Sequence, residues 1–259
     1  MDTRHKYIIG TSGYSFRDWV GTFYAAGTQP KDMLANYIRN FETVEINFSF
    51  YRVPTARTMA GMVNKTPPGY RFWVKANQGT THEGDRSVIP AFRDGIAPMV
   101  EAGKLAGVLL QFPQRFHRTV ANRRYLAQVV ADLRDLPLAV EFRHGSWEHP
   151  AVVAGLRERN VTLVVPDVPD LPGLFHVGAA ATTRTGYLRL HSRNAGKWYA
   201  KDGTDRYDYG YSHEELTDIL EAWEGLDEPM DEVYAFFNNC HHGQAAQNAE
   251  ALRRILGQI

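Results

Sequence analysis

Cysteine is nearly absent from this 259-residue chain: Cys240 stands alone. A single thiol excludes an intramolecular disulfide and any thiolate cluster around a metal. Long hydrophobic runs are missing as well. No stretch reaches the roughly 18 apolar residues of a membrane span, and the opening MDTRHKYIIGTSG lacks the apolar segment of a secretory leader. We therefore expect a soluble, cytoplasmic protein with no membrane partner. Neither sign of charge is in excess, since 29 Lys and Arg face 29 Asp and Glu. That balance argues against the broad basic surface of non-specific nucleic-acid binding, though not against a local basic pocket. Several motifs are also missing: GxGxxG after the first strand, Walker A, GxSxG, HxH and HExxH. Their absence argues against dinucleotide, P-loop and serine-hydrolase readings and leaves no compact zinc signature.

What the chain does have is a repeated pattern. Apolar runs break off at a charged or amide residue: TVEIN (43–47), FWVKA (72–76), GVLLQF (107–112), LAVEFRH (138–144), YLRLH (187–191) and YAFFNN (234–239). Buried parallel strands read this way, with chemistry at their carboxyl ends. Strands are expected near 7–11, 43–48, 70–76, 107–112, 138–142, 161–165, 187–191 and 233–238. Helical periodicity fills 31–40, 55–64, 89–102, 121–134, 150–159, 213–224 and 244–256. Ser212 with Glu215 has capping-box spacing, while PDVPDLPGLFHV after the sixth strand holds too much Pro and Gly for an ordinary helix. Eight strand–helix repeats in 259 residues predict one α/β domain over residues 1–259, a (β/α)8 TIM-like barrel.

Strand side chains alternate between faces. In a barrel that places Glu45, Asn47, Lys75, Gln111, Glu141, Arg143, Arg189, His191 and Asn238 around one axis. Buried charges must pair or meet a ligand. Two glutamates neutralise two of the three cations Lys75, Arg143 and Arg189; one is left over unless Asp167 rebalances the count. Such a pocket attracts a phosphate, phosphodiester or carboxylate. Glu45 and Glu141 fit a general acid and base or a structural bridge. Lys75 fits a Schiff-base amine or, more commonly, an ion-pair partner of Glu45. Glu141, Asp167, His191, His82 and His241 would be the ligands of a dispersed metal site. Tyr51 and Arg52 follow strand two at the mouth. Thr11–Ser12–Gly13 offers a small oxyanion nest or a plain turn, and Asn238, Asn239 and Gly243 offer phosphate binding or turn capping. The long loop 192–210 reads as a lid or as a solvent loop.

Ordered blocks of the chain resemble a known family. They are GTSGYSFRDWVGTFY (10–24), VEINFSFYRVP (44–54), VKANQGTTH (74–82), LLQFP (109–113), VEFRHGSW (140–147), YLRLH (187–191), RYDYGYSHEEL (206–216) and FFNNCHHGQAAQNAEAL (236–252). The chain is similar to the YecE-like proteins of domain-of-unknown-function family 72. Tyr14, Phe16 and Phe48 depart from the usual Trp, Tyr and Ser of that pattern. The resemblance implies a TIM-like barrel, and a likeness to barrels of the endonuclease IV and xylose isomerase type, hence DNA binding.

The expected function is an enzyme, a hydrolase or an isomerase/lyase, acting on a phosphorylated or anionic hydroxyl-rich molecule. Glu45, Glu141, Lys75 and His191 would be catalytic. Asn47, Tyr51, Arg52, Gln111, Arg143, Arg189, Asn238 and Asn239 would bind substrate, and no cofactor is expected. The alternatives are a nucleic-acid-binding protein without turnover and a phosphodiesterase dependent on a divalent metal.

Overall fold

The computed structural model describes residues 3–199 and 205–259. Eight parallel strands surround one axis: β1 (Lys6–Thr11), β2 (Thr43–Ile46), β3 (Arg71–Lys75), β4 (Leu105–Gln111), β5 (Leu138–Glu141), β6 (Val161–Asp167), β7 (Thr185–Leu190) and β8 (Glu232–Phe237). The hydrogen-bonded order is β1-β8-β7-β6-β5-β4-β3-β2. The ring meets between β1 and β2 at a single parallel bridge, Ser12 to Glu45.

That seam has a side-chain cause. Tyr37 sends its hydroxyl between the two strands, where it accepts from Thr11 N at 2.9 Å and donates to Thr43 O at 3.2 Å. The hydroxyl serves backbone groups that a ladder would otherwise satisfy. Gly10 makes the close approach possible, since a Cβ there would lie 2.6 Å from Thr43 O.

Among the described residues eight α-helices accompany the strands: α1 (Pro30–Tyr37), α2 (Phe48–Tyr51), α3 (Ala56–Asn64), α4 (Ile89–Glu101), α5 (Val120–Asp132), α6 (Pro150–Glu158), α7 (His213–Glu224) and α8 (Gln244–Ile255). Their starts follow local chemistry. Proline occupies the first turn of α1, α4 and α6. Thr55 and Thr119 cap α3 and α5, and Ser212 and Glu215 form the full capping box of α7. No helix joins β6 to β7, as the proline-rich segment predicts. There Thr182 Oγ1 accepts from Leu163 N and donates to Val161 O, both at 2.7 Å, so a side chain partly replaces a missing neighbour.

The alternation sorts the strands into two apolar layers. Val44, Ile46, Val74, Val140, Leu188 and Phe237 join the helices in the outer core. Ile8, Trp73, Leu109, Val164, Tyr187 and Phe236 plug the inside. Trp73 crosses the interior because Gly107 leaves room; a Cβ there would meet its ring at 2.4 Å. Above this plug, toward the strand C-termini, the inner layer turns polar. Among the described residues no helix is long and apolar enough to cross a membrane.

Candidate functional site

The first polar layer above the plug is a closed ionic network. Arg189, from the inner face of β7, donates Nε to Glu45 Oε2 at 2.8 Å and Nη2 to Glu45 Oε1 at 2.6 Å. Its Nη1 donates to Glu141 Oε2 at 2.5 Å. Tyr187 adds a hydroxyl to Glu45 Oε2 at 2.5 Å. Arg143 pairs with the other oxygen of Glu141, and His191 Nε2 stands 3.3 Å from that same atom. Glu45, Glu141 and His191 are fully enclosed.

The electrostatics follow from this pairing. Burial alone would raise Glu141, but Arg143, Arg189 and His191 outweigh it and hold the carboxyl well below the usual range. Burial likewise opposes the Arg189 charge, and Glu141 and Glu45 overcome it. Burial, with Arg143 beside it, lowers His191 to about 3, so its ring is neutral at ordinary pH. Asn238 Nδ2 orients the ring from 2.8 Å at Nδ1.

Above the network opens a cavity of about 300 Å³. Its wall carries Lys75, His82, Arg143 and Arg206, and no carboxylate among the described residues. Arg143, with 13% of its side chain exposed, belongs to both layers. Lys75 ends β3, with Nζ 4.1 Å from the centre of the Phe50 ring. Burial first, and then Arg189, lowers Lys75 to about 7, against the opposing pull of Glu141 and Glu45. Burial, followed by Lys75, lowers His82 to about 4. The polar amide of Gln111 and the rings of Tyr51, Tyr199 and Tyr207 complete the rim.

Several expected residues sit elsewhere. Glu45, Glu141, Arg189 and His191 converge as expected, but beneath the cavity, enclosed and in contact with one another. Lys75 does not pair with Glu45, because Arg189 and Tyr187 already satisfy that carboxylate. Asn47 does not line the cavity either: β2 ends at Ile46 and the chain turns at once into α2, so the two-residue alternation stops. Arg52 is exposed beyond that helix and outside the cavity wall. Asn238 acts on His191, and Asn239 ties Tyr209 O to Asn248 Oδ1; neither lines the cavity.

The Thr11–Gly13 turn is no oxyanion nest, because Ser12 N donates to Phe237 O and Gly13 N to Glu45 O, each at 2.9 Å. Gly243 begins α8 in the left-handed region, which fits turn capping. Asp167 does not rebalance the network; it accepts from Arg193 and from Tyr211, each at 2.7 Å. Among the described residues no group of three His, Cys, Asp or Glu is placed to hold a metal. His241 faces Asp208, and Glu141 is taken by arginines.

Phe50, Gln114, Leu174, Arg206 and Tyr207 line the cavity without having been singled out as site residues. Only Arg206 and Tyr207 had a signal, their place in the charged, aromatic loop 192–210, of which residues 200–204 lie outside the described residues. Leu174 arrives because the segment after β6 doubles back to bridge His144, a tertiary event with no local signature.

A parallel eight-stranded ring with a polar cavity at the strand C-termini defines a TIM-like barrel. The family is equally plain: residues 8–259 match the model described as "Protein of unknown function DUF72", and the chain belongs to that family. It is 30% identical to the UPF0759 protein YunF of Bacillus subtilis (strain 168), over 96% of this chain and 94% of that one. The crystal structure of a DUF72 family protein from Thermotoga maritima MSB8 is 39% identical, with a TM-score of 0.88 over 98% of this chain and 100% of that one. Another, from Enterococcus faecalis V583, is 29% identical, with a TM-score of 0.84 over 97% and 95%.

Proposed function

We propose that the chain is an enzyme acting on a small, hydroxyl-rich molecule that carries a phosphate or another anionic group, bound in the mouth cavity. One observation carries this reading: Lys75, Arg143 and Arg206 line the wall, and no carboxylate lines it with them among the described residues. The acidic groups below are already matched by Arg189 and Arg143. What is left uncompensated among the described residues is the charge of Arg206, and of Lys75 when it is protonated, and both face the cavity.

The roles follow from position. Arg143 and Arg206 hold the anion, Arg143 aimed by its pair with Glu141. Gln111 and Tyr207 meet hydroxyls. Glu45, Glu141, Arg189 and His191 are positioning residues that keep the strand ends and the Arg143 fork in place. His82, neutral on the wall, serves as a base. Titration calorimetry at low salt with inorganic phosphate, glycerol 3-phosphate and fructose 6-phosphate tests the reading. Binding should weaken by roughly tenfold or more in Arg143→Met with Arg206→Met. Absence of binding by all three ligands would defeat it.

A second reading rests on the rim. Tyr51 is 76% exposed and Tyr199 64%, so two exposed rings flank the cations, an arrangement that suits stacking on the end of a single-stranded nucleic acid. A labelled oligonucleotide that binds at low salt and is displaced by salt would favour it; no complex at low salt discards it.

A further inference from the structure

We infer that Lys75 is a Schiff-base amine: the mouth cavity takes a small aldehyde or ketone bearing a phosphate or carboxylate, and Lys75 Nζ condenses with its carbonyl. This deepens the anion-pocket reading and rests on it.

The geometry sets Lys75 apart from other buried or paired lysines. Lys104 is enclosed, donating to Val63 O at 2.9 Å and to Thr66 O at 2.7 Å, and Lys197 faces Asp208 at 3.1 Å. Lys75 lines the cavity and makes no hydrogen bond or ion pair among the described residues; its neighbour is the face of Phe50. The carboxylates that could have neutralised it are occupied: Glu45 by Arg189 and Tyr187, Glu141 by Arg189 and Arg143.

The groups around the amine are thus Glu45 from β2, Glu141 and Arg143 from the end of β5, Arg189 from β7, His82 from the turn after β3 and Arg206 from the loop after β7. A lysine kept only for charge would be served by a carboxylate-bonded, well-solvated setting. Here burial and Arg189 favour the free amine near neutral pH, which is the nucleophilic form. The arginines beside it supply the anchor that brings a carbonyl within reach.

The step balances without an oxidant or reductant. The Nζ lone pair forms a bond to the carbonyl carbon while the carbon–oxygen π pair moves to oxygen. A proton passes from nitrogen to that oxygen, giving a carbinolamine. The oxygen then takes a second proton from solvent and leaves as water, and the nitrogen lone pair closes a protonated imine.

Reductive trapping tests this. Pyridoxal 5′-phosphate and dihydroxyacetone phosphate serve as probes, with borohydride added and the modified peptide located by mass spectrometry. Lys75 should carry the adduct ahead of all other lysines, inorganic phosphate should compete, and the trapping rate should rise with pH through about 7 rather than near the ordinary lysine value of about 10.4. Lys75→Arg keeps a cation and Lys75→Met keeps bulk without one; both should lose the adduct, and Lys75→Arg should still bind inorganic phosphate by calorimetry. Phosphate binding to the wild type with no adduct at Lys75 overturns the inference and leaves the anion pocket standing. Loss of both phosphate binding and adduct overturns the two together. Labelling spread over other lysines and insensitive to phosphate overturns the inference as well.

Discussion

Arg189 and Lys75 occupy inward positions of the same barrel, on β7 and β3, and meet opposite conditions. Arg189 has two carboxylates and a tyrosine network around it and 2% of its side chain exposed. Lys75 has an aromatic face, a cavity and no ion-pair partner among the described residues. The same inward register therefore yields a matched cation in one place and an unmatched one in the other, among the described residues. What separates them is whether an acid from another strand arrives within hydrogen-bonding distance. A matched buried charge holds the ring together, while an unmatched one sheds its proton or waits for a ligand.

The largest effect that would break this contrast is on stability. Arg189→Met leaves two enclosed carboxylates without their main partner and should cost about 3–5 kcal/mol, read by urea unfolding at neutral pH. A cost below about 1 kcal/mol would mean that the network is not what joins β2, β5 and β7.

Lys75→Met should move stability the other way. Between about 7 and the unfolded lysine value of about 10.4 the unfolded chain holds a proton that the folded chain does not. Wild-type stability then rises with pH across that window, by up to about 1.4 kcal/mol per pH unit. The methionine variant lacks this slope and should be the more stable of the two at pH 7. Parallel pH profiles for the two proteins would contradict the separation drawn between these cations.

His191 sharpens the contrast from the acid side. Its folded value of about 3 lies below the ordinary histidine value of about 6.5, so the unfolded chain takes up the proton first. Wild-type stability should fall as pH drops below about 6.5, again by up to about 1.4 kcal/mol per unit. Glu141 adds a further loss below the ordinary glutamate value of about 4.3. His191→Gln should flatten the upper part of the curve, measured by thermal unfolding across pH.

The smallest effect belongs to the rim. Tyr51→Ala should change stability by no more than about 0.5 kcal/mol, because its ring is mostly in solvent. Phosphate binding should survive it; oligonucleotide binding should drop if the ring stacks on a base.

Much of this was legible beforehand wherever a strand ran straight. The alternation in FWVKA, LAVEFRH and YLRLH assigned Lys75, Glu141, Arg143, Arg189 and His191 to the interior, and the structure puts them there. Legibility failed at the strand ends. Asn47 belongs to a run that turns helical one residue later, and nothing in FSFY announces a four-residue helix that carries Phe50 to the mouth. The depth of the two glutamates was not readable either: their number and register were, but not that both lie fully enclosed.

Composition and periodicity by themselves determined the class of fold, the inner and outer faces of the straight strands that carry Lys75, Glu141 and Arg189, and a count of cations against acids that only the placement of Asp167 closed. These are local or additive properties of the chain. Tertiary structure alone decided which charge met which, and which stayed open to a ligand. Arg189 and Glu45 are 144 positions apart, and they meet only because the barrel brings the inner faces of β7 and β2 together. Electrostatic fate turns on distances of a few ångströms across the barrel, and no spacing along the chain encodes those directly.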